Sequence, residues 1–104
     1  MKKKVGDRIN AGQWHPKIKA IARLRSPTPD GFEPVLMLVE HLDGKTELYF
    51  PYYKTADGKQ QFTNRPPMFD EGVWLELLTD GIRQGFFTKD FLKKLALKCV
   101  EALS

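Results

Sequence analysis

The chain has one cysteine, Cys99, among its 104 residues, so no internal disulfide can form, and a lone thiol fits a reducing compartment. It has two histidines, His15 and His41, in "WHP" and "VEHLD", and neither stretch has metal-ligand spacing. No apolar run approaches the roughly 20 residues of a membrane-spanning helix. "MKKKVGDRIN" opens like a secretory signal, but no apolar stretch follows its lysines, so a cytoplasmic location without a membrane partner is the expectation. The eight glycines form no phosphate-loop spacing. Cys99 has no evident histidine partner and falls on the apolar side of a helical pattern, where a small buried hydrophobe is expected. Asp70 and Glu71 form an acid pair that a helix cap explains. No catalytic set, metal set or cofactor motif emerges, and an enzyme is not expected.

What is present is the composition of one folded domain. Hydrophobic residues make up 41% and charged residues 29%, ordinary values for a chain that buries a core. The charge is unevenly spread. Residues 1–25 carry eight cations (Lys2, Lys3, Lys4, Arg8, Lys17, Lys19, Arg23 and Arg25) against Asp7 alone, whereas the rest has nine cations and twelve acids. A basic first quarter points to a polyanion, with a solvated strand face as the plainer alternative.

Residues 1–13 show no periodicity and are expected to form a flexible basic segment, with residues 14–104 forming a single α+β domain. "KIKAIARLR" (17–25) alternates, setting Ile18, Ala20, Ala22 and Leu24 against the cations, as a half-buried strand does. "EPVLMLVEHL" (33–42) is apolar on both faces in its first half and suits a central strand. Asp43-Gly44 then signals a hairpin. Read as a two-residue turn, it sets Val39 opposite Leu48, Met37 opposite Phe50 and Leu38 opposite Tyr49. Asp57-Gly58 offers a second hairpin that sets Tyr53 opposite Phe62 and Tyr52 opposite Thr63. Pro51 cannot donate to a ladder, so a bulge or lost pairing is expected there. Asp70 is a suitable cap for a helix over "EGVWLELLTDGI", and Thr88 for a last helix with lysines opposite its apolar side. The expected fold is α+β: a twisted antiparallel sheet of about four strands, packed on one face by two C-terminal helices.

Four of the five residues from Tyr49 to Tyr53 are aromatic. The expected register places Phe50 and Tyr52 with Val35, Met37 and Val39 in a core under the helices, with Met37, Phe50 and Trp74 largely buried. Tyr49, Tyr53 and Phe62 then share the other face with Lys17, Lys19, Arg23 and Arg25. Rings interleaved with cations on an open sheet suit unpaired nucleic acid, because every base has a π-face and every phosphate a charge. The same face could instead meet protein, form a homodimer, or lie under the amino-terminal segment with Trp14. Glu40 and Glu47 count against an anion site at its edge.

With this element order, "GFEPVLMLVEH…ELYFPYY…FDEGVWLELL" resembles the positive cofactor four family of single-stranded DNA-binding transcriptional coactivators over roughly residues 17–85. The resemblance implies a curved four-stranded sheet backed by a helix, a homodimer formed through the helices, and single strands held on basic, aromatic sheet surfaces. It matches Tyr49 and Tyr53 to the family's strand aromatics, Lys19, Arg23 and Arg25 to its basic first strand, and Trp74 to its packing aromatic. Two departures stand out: "TNRPPMF" replaces the family's glycine-lysine turn and leaves only Arg65 nearby, and the helix from Lys89 to Leu103 is extra. The expected function is a non-enzymatic module for single-stranded nucleic acid, or else a protein-interaction or homodimerisation domain.

Overall fold

A computed structural model describes residues 3–10, 14–26, 31–56, 59–63 and 69–104. The chain runs β1 (Lys17–Arg23), β2 (Phe32–Glu40), β3 (Thr46–Tyr49), β4 (Tyr52–Ala56), β5 (Lys59–Thr63), α1 (Glu71–Arg83) and α2 (Lys89–Leu103). All strand pairs are antiparallel, in the order β1-β2-β4-β5, with β3 also on β2. β3 and β4 lie end to end along one side of β2, so the sheet is four strands wide. Phe50 and Pro51 interrupt that composite strand, as a proline without an N–H requires, yet Pro51 still accepts from the Val35 N–H at 3.1 Å. No described helix is long and apolar enough to cross a membrane.

The first hairpin departs from the expected register. Leu38 faces Leu48, Val39 faces Glu47 and Met37 faces Tyr49. The loop holds three residues, Leu42, Asp43 and Gly44, rather than two. His41 N–H donates to the Lys45 carbonyl at 2.9 Å, and Gly44 N–H to the His41 carbonyl at 2.9 Å. Gly44 takes φ +86°, the left-handed residue that closes a three-residue hairpin with a bulge. One residue of slip exchanges faces, and it carries through Pro51 unchanged, because Glu33 faces Tyr53 and Pro34 faces Tyr52. The second hairpin has the expected pairing, Tyr53 with Phe62 and Tyr52 with Thr63; its turn, Asp57-Gly58, lies outside the described residues.

The slip sorts the core into two layers. Val35, Met37 and Val39 share one face with Ile18, Tyr49, Tyr53 and Phe62. Ala22, Leu36, Leu38 and Phe50 share the other with Leu77 and Phe86. Phe50 thus lies on the helical side, as expected, but Met37 is buried on the opposite one. Phe50 is half-buried with its ring 3.8 Å from that of Trp74, and Trp74 itself stays 36% exposed.

α1 begins where Asp70 Oδ1 accepts from the Val73 N–H at 3.0 Å. Its buried side presents Leu77 and Gly81 to the sheet. A Cβ on Gly81 would come within 3.2 Å of both Leu36 and Phe86, so glycine sets the closeness of this approach. Thr88 caps α2 through a bond from the Phe91 N–H at 3.1 Å, but α2 buries none of its residues. The second core layer is therefore closed by α1 and by Phe86 just after it, and not by α2.

Residues 3–10, expected to be flexible, lie against the sheet. Ile9 is buried in the first core layer. Gly6 N–H donates to the Ile18 carbonyl, and Ile18 N–H to the Asp7 carbonyl, each at 2.9 Å. This covers the first half of the free edge of β1. The second half is covered by α1 and its cap: Arg23 N–H donates to Asp80 Oδ2 at 3.0 Å, and Gln84 Nε2 to the Ile21 carbonyl at 2.8 Å. An edge strand closed in this way offers no template for another chain.

Candidate nucleic-acid interface

The register of β1 shifts between Ile18 and Ala20, so Ile18 enters the first core layer while Ala20, Ala22 and Leu24 join the second, not one common side as expected. Lys17 and Lys19 are exposed, and Lys19 Nζ stands 3.9 Å from Glu40 Oε1 on the neighbouring strand. Arg23, at the end of the strand, is partly buried, with its guanidinium 3.4 Å from Glu33 Oε2. Arg25 is exposed just beyond, where its backbone N–H reaches Glu76 Oε1 at 3.3 Å. These four predicted site residues therefore follow one another along the rim of the sheet. Glu40 and Glu33 partly neutralise two of them.

The aromatic members sit elsewhere. Tyr53 is fully buried, and its hydroxyl accepts from the Lys3 N–H at 2.8 Å. Burial raises its pKa, partly offset by the Lys3 bond and the charge of Arg23. Its ring packs against Phe62 at 5.5 Å, and Phe62 packs against Tyr49 at 6.3 Å. Tyr49 is half-buried, and burial raises its pKa as well. Lys3 Nζ lies 5.5 Å above the Phe62 ring, within cation–π range. The expected open aromatic face is thus a covered one. The amino-terminal segment closes over it, because an alternating sheet with large apolar side chains on both faces must hide both. Tyr53 offers no free π-face; Tyr49 and Phe62 are partly buried against the same core layer. Arg65 lies outside the described residues.

Sequence reasoning passed over three contributors. Lys4, seen only as part of a basic run, joins Lys19, Arg23, Val5, Ile21 and Gln84 around a shallow depression of about 520 Å³ whose lining contains no carboxylate. Trp14 is 59% exposed and meets His41 edge-on at 6.0 Å. It stands just ahead of β1, at the end of the sheet where His41 Nε2 meets Glu47 Oε1 at 2.7 Å. The third is Asp80, which ties Arg23, Arg83 and Gln84 together at the other end of β1. Nothing in "LLTDGIRQG" marks Asp80 as anything but a polar helix position; only the packing of α1 on β1 gives it partners.

Among the described residues no three of His, Cys, Asp and Glu come together in a way that could hold a metal ion. Cys99 is exposed on α2 rather than buried as expected, and no residue of that helix is buried. The rim of β1 can therefore supply charge from Lys4, Lys17, Lys19, Arg23 and Arg25, and one exposed ring from Trp14. Set against known proteins, the chain matches no family model, no curated protein and no solved structure.

Proposed function

We propose that the protein is a non-enzymatic module that binds a single strand of nucleic acid along the rim of β1, from Trp14 to Arg25. The observation that carries this reading is the depression lined by Lys4, Lys19 and Arg23 without a carboxylate. A phosphate backbone is the partner that such a run of cations recognises without further geometry. Trp14 supplies the stacking surface in place of the covered tyrosines, and stacking on one ring contributes about 1–3 kcal/mol per base. A flexible single strand can follow a short rim and lay one base on that ring, which a rigid duplex cannot. The likeness to the positive cofactor four family enters here only as a shared partner class, since the sheet face that the resemblance implies is occupied by Lys3 and Ile9.

Fluorescence anisotropy with labelled oligo-dT, at several salt concentrations, tests the reading. Lys19→Ala should weaken binding and flatten the log–log salt dependence by about 0.7, the value for one phosphate contact on a single strand. Trp14→Ala should weaken binding by about 1–3 kcal/mol and leave that slope unchanged. Absence of binding by the wild-type chain at low salt would refute the reading. Equal binding to duplex would refute the part given to Trp14.

A further inference from the structure

The end of the sheet beside Trp14 holds a cleft that phosphate binding does not explain. It measures about 550 Å³, and Trp14, His41, Leu42, Asp43, Lys45 and Glu47 contribute to its lining. That size falls in the range of small-molecule sites, roughly 300–1,000 Å³. Trp14 is 59% exposed and Leu42 89% exposed. An indole with both faces covered could not be so accessible, so one π-face is open. Bare apolar side chains grouped together and rimmed by polar ones mark a binding place rather than a core. The cleft is also continuous with the cation rim. Lys17 lies opposite Glu40, and His41 follows Glu40 in the chain. A single strand lying along Arg23, Lys19 and Lys17 therefore reaches Trp14 at its end.

The polar groups of the cleft fit the edge of a base and not a phosphate. Asp43 and Glu47 bring negative charge into it, and Lys45 balances only one of them. A carboxylate accepts hydrogen bonds and donates none, so it seeks a base edge that donates. Asp43 is committed to its own loop, where Oδ1 accepts from the Lys45 N–H at 2.9 Å. Glu47 is held from one side: Oε1 meets His41 Nε2 at 2.7 Å, and its side chain is 53% exposed. His41 in turn packs perpendicular to Trp14, at 84° and 6.0 Å between ring centroids. One imidazole thus sets the stacking ring and the accepting carboxylate in relation to each other.

Guanine is the base that answers both. Its Watson–Crick edge offers two adjacent donors, N1–H and the N2 amino group, to the two oxygens of one carboxylate. Thymine offers a single N3–H. Adenine and cytosine offer an amino group beside a ring nitrogen that accepts, which repels the second oxygen. We propose that the cleft is a guanine-reading site, in which Trp14 stacks the base, Glu47 accepts from its N1–H and N2 amino group, and His41 positions the carboxylate. The proposal rests on the reading of the rim as a single-strand path and adds to it a preference for guanine at the position that reaches Trp14.

Fluorescence anisotropy with labelled oligo-dT, and with the same oligomer carrying one guanine, tests it. The guanine oligomer should bind about tenfold more tightly, the lower end for a two-bond base contact, because the site is open to water. Inosine in place of the guanine lacks only the N2 amino group and should lose most of that gain. Adenine controls for purine stacking and should bind no better than inosine. Glu47→Gln should abolish the preference for guanine over adenine, with far-UV circular dichroism checking the fold. Trp74→Phe leaves Trp14 as the sole tryptophan, and the guanine oligomer should quench its fluorescence. Equal affinity for the thymine and guanine oligomers would overturn this proposal and leave the rim reading intact; binding of neither at low salt would overturn both. A guanine preference that survives Glu47→Gln would place the base elsewhere and also overturn it. Quenching of Trp14 by an arginine-containing peptide, and not by the guanine oligomer, would assign the cleft to a cationic protein partner instead.

Discussion

Replacing Asp80 by alanine removes a carboxylate that fastens the end of β1 to α1. Its Oδ2 accepts from the Arg23 backbone N–H and from Gln84 Nε2, each at 3.0 Å, and its Oδ1 meets Arg83. The Asp80 side chain is 18% exposed and that of Arg83 73% exposed, so water screens the ion pair and it adds little. The other two bonds carry the effect. Hydrogen bonds to a charged group contribute about 1.5–3 kcal/mol each when buried, and in this partly wet position the sum falls toward the low end. Asp80→Ala should cost about 2 kcal/mol, and Asp80→Asn, which keeps one acceptor oxygen, about 1 kcal/mol. Burial pushes the Asp80 pKa up, but the Arg23 N–H, the bonds from Arg83 and Gln84 and the Arg83 charge together hold it below its ordinary 3.8. The native state therefore favours the ionised carboxyl. Its contribution is complete above the unfolded-state pKa and is lost as pH falls through the lower native value. Urea unfolding followed by circular dichroism, from about pH 7 down to about pH 2.5, should show a gap between wild type and Asp80→Asn. The gap should be constant to about pH 4 and narrow below it. A gap that stays flat throughout, or an Asp80→Ala variant as stable as wild type at neutral pH, would refute the reasoning.

Tyr53 should behave as a core residue. Tyr53→Ala should cost about 3–5 kcal/mol in urea unfolding, and Tyr53→Phe only about 1 kcal/mol for the lost Lys3 bond, with oligo-dT affinity of the phenylalanine variant unchanged. Gly44→Ala should cost about 1 kcal/mol, because a Cβ there meets nothing within 4 Å and only its φ of +86° resists a side chain; Gly44→Asn should cost less, and thermal unfolding distinguishes the two.

The element order was legible because each boundary has a local cause. Asp70 and Thr88 cap their helices through bonds to the third following N–H, Pro51 interrupts its strand, and β4 and β5 pair as alternation requires. The first hairpin was not legible to the residue. Asp-Gly satisfies a two-residue turn, and it equally satisfies a three-residue loop that ends on a left-handed glycine. The choice is made by Leu42, which is 89% exposed as part of the loop instead of pairing with Lys45. That choice moves every residue of β3 and β4 by one place relative to β2.

The grouping of the rings survived that slip, and their exposure did not. Tyr49, Tyr53 and Phe62 share a face, and Phe50 lies under α1, as the alternation of β3 and β4 alone requires. What alternation cannot give is what lies on top. Ile9 stands alone among polar and charged neighbours in "VGDRIN", without the period that marks a strand or helix. Yet it is 1% exposed, and with Lys3 it closes over the tyrosines. Of the cations, Lys17 and Lys19 are exposed on β1, Arg23 is partly buried at its end and Arg25 lies just beyond it. The candidate interface thus passes from the face of the sheet to its rim, and the same reasoning explains α2. Its lysines are as solvent-exposed as the periodicity suggests, but its apolar side is exposed too, since amphipathicity fixes which side needs a partner and not whether the same chain provides one.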